Sequence, residues 1–393
     1  MSEKDVYVVG AARTAVGSFQ GMYSATPAST LGAVAIKEAV KRSGLKPEDV
    51  QECFMGNVLT AGQGQAPGRQ AAIYAGLPKS VPNTTVAKVC GSGAQAIILG
   101  ARTIQLGEND VVVTGGMENM TLAPYALPLG RSGYRMGEGK VVDLMVYDGL
   151  WDPYNNFHMG IAAEMCADKY TFTRQLQDDF AATSYKRALA ATKEGRFDAE
   201  ITPVVLKDKK KGDIELRIDE EPQKFNEEKM RALKAAFKKD GTVTAGNASS
   251  INHGAAALVL ASEKVVKERG LKTLGRIVGW AVHAHEPEWF TTAPVFAIKK
   301  ALERCGLKPG DVGLWEVNEA FAVVAMAAMK EIGIPHDALN INGGGCSIGH
   351  PIGCSGARIM VTLLYAMDQK KAKKGLGTMC IGGGEAIAIV FEK

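Results

Sequence analysis

The chain has 393 residues, 46% of them hydrophobic and 22% charged, a balance that disordered and membrane-spanning chains do not show. Its net charge is only +4, with Lys and Arg interspersed among Asp and Glu, so no nucleic-acid footprint is visible. No apolar run reaches the roughly 18 residues of a membrane helix, and at roughly 100–200 residues per domain the length implies two or three packed units.

Polar Met1 to Asp5 lead straight into a strand at Val6 to Val9, and the last residues, Val390-Phe391-Glu392-Lys393, do not match the peroxisomal tripeptide. The expectation is therefore a cytoplasmic protein with no membrane partner. Ala35 to Val50 reads as an amphipathic helix stopped by Gly44, followed by Pro47 and a strand. The same design returns at Ala297 to Val312, identical at eleven of sixteen positions.

Cys90 stands between Val86-Ala87-Lys88-Val89 and Gly91-Ser92-Gly93-Ala94, which opens a helix through Ala96 to Leu99. A helix N-terminus lowers a thiol pKa and predicts a reactive thiolate; the competing reading is a buried cysteine packed beside glycines. The strand Val111 to Val113 then ends in Gly115-Gly116. Residues 119–247 break the pattern with Pro124, Pro128 and Gly130, aromatic-rich Trp151 to Phe157, and a helical stretch from Ile161 to Glu194. A loop domain of this length, inserted over a site, is expected to be functional. Its lysines Lys207 and Lys209 to Lys211, like Lys370 to Lys374, read as solvated charge at turns or helix ends near Gly212 and Gly375.

In the second half, Asn318-Glu319-Ala320-Phe321 follows the strand Leu314 to Val317, and Asn318 suits helix capping as well as catalysis. His350 lies between Gly349 and Pro351 in a glycine-rich loop with no helical face to pack on; an imidazole there can take a thiol proton. Cys354-Ser355-Gly356-Ala357 weakly repeats the Cys90 segment. Cys380 ends an apolar strand that opens into Gly382-Gly383-Gly384, either as a reactive group or as a strand cysteine pointing into the core. Two halves of one α/β design follow, with mostly parallel sheets covered by helices. The expected division is residues 1–118 plus 248–270, the loop domain 119–247, and 271–393. The seven cysteines, Cys53, Cys166, Cys305 and Cys346 among them, lack paired Cys-x-x-Cys spacing, so neither a disulfide framework nor a metal site is expected.

Cys90 in Val-Cys-Gly-Ser-Gly, Asn318 in Asn-Glu-Ala-Phe, His350 in Gly-His-Pro-Ile-Gly and Cys380 in Cys-Ile-Gly-Gly-Gly, in that order, closely resemble the thiolase family over the whole chain. The resemblance implies a layered αβαβα fold of duplicated halves. It implies that Cys90 is acylated after His350 removes its proton, and that Cys380 deprotonates a second acetyl-CoA in a reversible Claisen condensation to acetoacetyl-CoA and coenzyme A. Asn318 is expected to hold a water at the enolate oxygen, and the N–H groups of Cys90 and Gly382 to form an oxyanion hole. Ala245, Ser249, His158, Met159, Phe321 and Phe290 are expected along the pantetheine and acyl pocket, and Lys224 or Lys229 at the nucleotide. His158 also reads as a packed loop histidine. The substrates are coenzyme A thioesters, no cofactor is held permanently, and a homotetramer is implied. A broad-range 3-ketoacyl-CoA thiolase of fatty-acid β-oxidation and a non-catalytic thiolase-like acyl or sterol carrier are the alternatives.

Overall fold

The structure is a computed structural model that describes residues 5–208 and 212–393; the lysines Lys209 to Lys211 lie outside them. The first half runs β1 (Val6–Arg13), α1 (Ala28–Ser43), β2 (Glu52–Gly56), α2 (Pro67–Tyr74), β3 (Asn83–Val86), α3 (Ser92–Leu106) and β4 (Val111–Asn119). A long excursion carrying α4 (Met159–Tyr170) and α5 (Arg174–Lys193) returns to β5 (Asn252–Ser262). The second half follows as β6 (Gly275–Ala284), α6 (Ala293–Arg304), β7 (Leu314–Val317), α7 (Ala322–Ile332), α8 (Ile352–Lys370), β8 (Lys374–Ile381) and β9 (Glu385–Glu392).

The main strands form one sheet in the order β3-β2-β4-β5-β1-β6-β9-β8-β7, so β2-β4-β5-β1 is matched by β7-β8-β9-β6. The duplication reaches small details. Both copies carry a β-bulge one residue before a glycine, at Val8/Gly10 and Ile277/Gly279. In both, the turn after the repeated helix is closed by an N–H to aspartate bond of 2.8 Å, Lys46 to Asp49 and Lys308 to Asp311.

The sheet is mixed rather than mostly parallel. Only β2 with β3, β2 with β4 and β7 with β8 run parallel. The chain re-enters beside the strand it has just left: β8 turns into β9 through Gly383 and Gly384, both at positive φ, and β5 comes back from the excursion alongside β4. Adjacent antiparallel strands result.

Strand alternation then sets the layers. On β5, Ala256, Leu258 and Leu260 face a central core with α3 and α8, whereas Ala255, Ala257 and Val259 face α1 and α2. On β9, Ile387, Ile389 and Phe391 join the same central core, whereas Ala386, Ala388 and Val390 pack against α6 and α7. The architecture is αβαβα, with α3 and α8 as the innermost layer. Every residue of α8 from Ile352 to Leu364 is buried. Each large apolar side chain there contributes about 1.5–3 kcal/mol.

The two inner helices cross through glycines. A Cβ on Gly93 would lie 2.6 Å from the Ala357 nitrogen, and one on Gly356 would lie 2.3 Å from the Ala94 nitrogen. The contact is reciprocal, as expected of related halves, and it lets the N-termini of α3 and α8 converge.

The excursion is tied to this core by a fully buried cluster in which Arg13 pairs with Glu200 at 2.6 Å and Asp219 at 2.7 Å. Its helical stretch is two helices, not one. Thr171 is left-handed at φ 55°, and the Thr173 hydroxyl caps α5 by accepting from Leu176 N–H. Lys371, itself left-handed, ends α8, while Gly375 lies inside β8 rather than at a turn. Among the described residues, no helix is long and apolar enough to cross a membrane, and no group of three or more His, Cys, Asp or Glu is placed to hold a metal.

Candidate active site

Cys90 occupies the turn between β3 and α3. Its neighbour Val89 has φ 42°, a conformation that is strained for a β-branched residue. The turn is held by Ser92, whose hydroxyl accepts from Lys88 N–H at 2.8 Å and donates to the Val89 carbonyl at 2.7 Å. Gly91 lets the turn approach β8 closely: a Cβ there would lie 2.4 Å from the terminal methyl of Ile381, which would have to move.

The sulfur does not behave as helix position alone predicts. Burial pushes the Cys90 thiol up to about 11, although the N–H groups of Gly382 and of Cys90 itself pull it down. Cys90 precedes α3 by a full residue and faces a narrow cavity, so desolvation outweighs the helix end. The resting group is a thiol, and it needs a base.

His350 follows Gly349 (φ 109°) and precedes Pro351, the N-cap of α8. Its backbone N–H donates to Asn252 Oδ1 at 2.9 Å. Its Nδ1 lies 2.6 Å from the Ser355 hydroxyl, which is 2.9 Å from the Pro351 carbonyl. Burial, then the nearby Arg358 charge, pushes the imidazole down to about 3, so the resting ring is neutral and one of its nitrogens carries a lone pair.

Asn318 is not a helix cap, since α7 begins at Ala322. Its amide nitrogen sits 3.4 Å from His350 Nε2 and 3.5 Å from Nδ1, and its Oδ1 is buried without a hydrogen-bond partner among the described residues. Glu319 fixes this loop by accepting from Ser184 and Asn340 side chains, each at 2.7 Å, and from Cys346 N–H at 3.1 Å. Cys380 is fully buried near the end of β8, and its thiol is pushed well up by burial and then by the proximity of Cys90.

Cys90 and His350 open onto one cavity of about 400 Å³, within the usual range for a small-molecule site. Cys90, His350 and Gly382 line it together with His158, Met159, Ala245, Ser249, Phe290 and Phe321. Asn318 and Cys380 stand behind its wall. Cys380 packs in one apolar cluster with Met159, Phe290 and Phe321. His158 accepts from Gly160 N–H through Nδ1 and stacks on Phe237 at 4.8 Å, which leaves its proton on Nε2.

Lys224 and Lys229 are not at this cavity. They line an adjoining groove of about 200 Å³ that shares Glu221 and Ala245 with it. The Lys224 ammonium is engaged by Ser18 at 2.5 Å and by Glu221 at 3.5 Å, whereas Lys229 has no ion pair among the described residues.

Contacts between the halves brace both catalytic turns. Lys88 pairs with Glu385, just beyond the Gly382–Gly384 turn. Conversely, Glu118 at the end of β4 accepts from Gly353 N–H at 2.9 Å and from Asn57, Val58 and Leu59. Burial nonetheless pushes its carboxyl up to about 7.

The family model for the thiolase N-terminal domain matches residues 6–264, and that for the C-terminal domain matches 271–393. The chain belongs to the thiolase family. It is 50% identical over 390 residues to the acetyl-CoA acetyltransferase of Cupriavidus necator, covering 99% of each chain. It is 49% identical to that of Schizosaccharomyces pombe over the full length of both, and 50% identical to a cytosolic acetyl-CoA acetyltransferase of Gibberella zeae over 98% of each.

Three contributors to this thiolase site are not apparent from motif reading: Ser355, Glu118 and the strained Val89. Ser355 had a usable signal, a hydroxyl one turn into a helix that starts beside a histidine. Val89 had none, because a β-branched residue gives no sign of a positive φ; its turn is held locally by Ser92 and pressed against Ile381 through Gly91.

Proposed function

We propose that this thiolase is an acetyl-CoA C-acetyltransferase that reversibly condenses two acetyl-CoA into acetoacetyl-CoA and coenzyme A through an acetyl-cysteine. The observation that carries this is one cavity lined both by Cys90, whose thiol meets the N–H of Gly382, and by a neutral His350, with Cys380 close to Cys90. His350 removes the Cys90 proton, and the sulfur attacks the thioester. Cys90 and Gly382 N–H groups receive the oxyanion, each such donor being worth about 3–4 kcal/mol. Cys380 then removes a methyl proton from the second acetyl-CoA, and His350 with a water held by Asn318 receives the enolate oxygen. All of this is thiol, imidazole, amide and backbone chemistry on coenzyme A thioesters.

Buried Phe290, Met159 and Phe321 support a short acyl group, since they close the apolar end of the cavity. Ala245, Ser249 and His158 flank the pantetheine, and Lys229, whose ammonium is less engaged than that of Lys224, meets the nucleotide phosphates. The chain divides functionally into 1–118 with 248–270, the covering segment 119–247, and 271–393. A homotetramer is supported by the exposed apolar side chains of that segment, including Tyr125, Leu127, Leu129 and Met136. The cytosolic relative supports a cytoplasmic location.

The test is mass spectrometry after mixing with acetoacetyl-CoA. One acetyl group on Cys90 is expected, and its absence would overturn the reading. Cys380→Ala should still be acetylated yet form no new carbon–carbon bond. Turnover on a ketoacyl-CoA of eight or more carbons matching that on acetoacetyl-CoA would refute the short-chain assignment.

A further inference from the structure

Each inner helix begins with a serine in the same relation to the turn before it. Ser92 accepts a hydrogen bond from an N–H of residue 88 and donates to a carbonyl three residues back. Ser355 is its counterpart, one residue before Gly356 as Ser92 is one before Gly93. It donates to the Pro351 carbonyl four residues back at 2.9 Å and meets His350 Nδ1 at 2.6 Å. In the first copy the partner is a backbone amide, which can only donate. In the second it is a ring nitrogen, which takes either role.

A hydroxyl has one hydrogen to give. With that hydrogen on the Pro351 carbonyl, as the geometry of Ser92 and Val89 repeats, Ser355 Oγ is an acceptor and His350 Nδ1 must carry the proton. Ser355 is wholly buried, so no bulk water competes for this contact. Arg358, one turn further along the same face and equally buried, places a positive charge near the ring that keeps its resting form neutral, so the imidazolium of the reaction is formed only in passing, while a thiolate or enolate is present to offset it.

We propose that Ser355 is a positioning residue that locks the neutral imidazole of His350 in its Nδ1–H form, so that all proton traffic of the site passes through Nε2. The inference rests on the function proposed above and assigns the path of its protons. Nε2 takes the Cys90 proton as the sulfur–carbon bond forms, and gives it to the departing coenzyme A sulfur. It next takes the Cys380 proton, and the resulting imidazolium faces the enolate oxygen while the Cys380 thiolate removes the methyl proton. When the new carbon–carbon bond forms and Cys90 is released, Nε2 returns the proton to Cys90. Both thiols and the neutral ring are restored, and no other acid or base is needed.

The experiment is nitrogen-15 NMR of histidine-labelled enzyme together with single-turnover acetylation. In the parent protein the neutral His350 ring is expected as Nδ1–H, the minor form of free imidazole. In Ser355→Ala it should revert toward Nε2–H, and Cys90 acetylation should fall about 10²-fold, as when a general base is impaired, with KM little changed. Ser355→Thr, which keeps the hydroxyl, should restore both the tautomer and the rate. A parent ring found as Nε2–H would overturn the proposal without any variant being made. So would Ser355→Ala with an unchanged tautomer, whatever its rate. A parent protein that shows the Nδ1–H ring but never acetylates Cys90 would instead sink the proposed function and leave the lock standing.

Discussion

The two inner helices open on nearly the same turn, and only one of them carries the nucleophile. Around α3 the small-residue run is Cys90-Gly91-Ser92-Gly93-Ala94; around α8 the matching positions are Gly353-Cys354-Ser355-Gly356-Ala357. Serine hydroxyl, glycine crossing and buried alanine are retained in both. The first turn places a sulfur at its apex, while the second places glycine there and an imidazole three residues earlier. Duplication thus supplied one scaffold twice, and each copy kept half of a nucleophile–base pair. Neither half can react alone.

The sharpest way to break that comparison is to exchange a thiol for a methyl group in each turn. Cys90→Ala should abolish acetylation altogether, because no other group there can form the thioester. Cys354→Ala should leave acetylation intact and cost only about 1–2 kcal/mol of stability for the lost packing. Loss of acetyl-enzyme in Cys354→Ala under native-like stability would mean the turns are not divided as described.

A second expectation concerns pH. Because the folded environment raises the Cys90 thiol to about 11, its alkylation by iodoacetamide should climb about tenfold per pH unit from 7 to 10. Cys354, raised to about 12 and buried, should stay unmodified over the same range. A rate already level at pH 7 would show a standing thiolate. At the crossing, Gly93→Ala and Gly356→Ala should each destabilise by about 1–3 kcal/mol, read from urea midpoints. Gly310→Glu, where the first copy has Glu48 and a Cβ meets nothing within 4 Å, should be neutral.

The repeated helix, its glycine stop and the following strand could be read from Ala35 to Val50 and Ala297 to Val312, because local propensity and tertiary structure agree there. Cys90 and His350, which line the cavity, stand in motifs that single them out, and His350 has no helical face to pack on; for Cys90 and Cys380 a packed-cysteine reading stands beside the reactive one. Strand direction could not be read. It depends on where the chain returns after Asn119 and after Ile381, which periodicity does not encode. The direction of the Cys90 shift was also hidden, because burial beside Gly382 is a contact across almost three hundred residues. Thr171 to Thr173 interrupt an otherwise helical pattern with ordinary helix-compatible residues, so the break between α4 and α5 left only the Thr173 cap as a trace.

The placement of α8 also governs how the molecule comes into being. This helix forms the floor beneath the first-half sheet, yet it is translated after residue 350. A ribosome therefore releases the first-half strands with their inner apolar face covered by α3 alone, and α3 waits for a partner at the far end of the message. Such a chain should depend on a holding chaperone until synthesis is nearly finished. Fragments ending before residue 352 should aggregate rather than persist as folded halves.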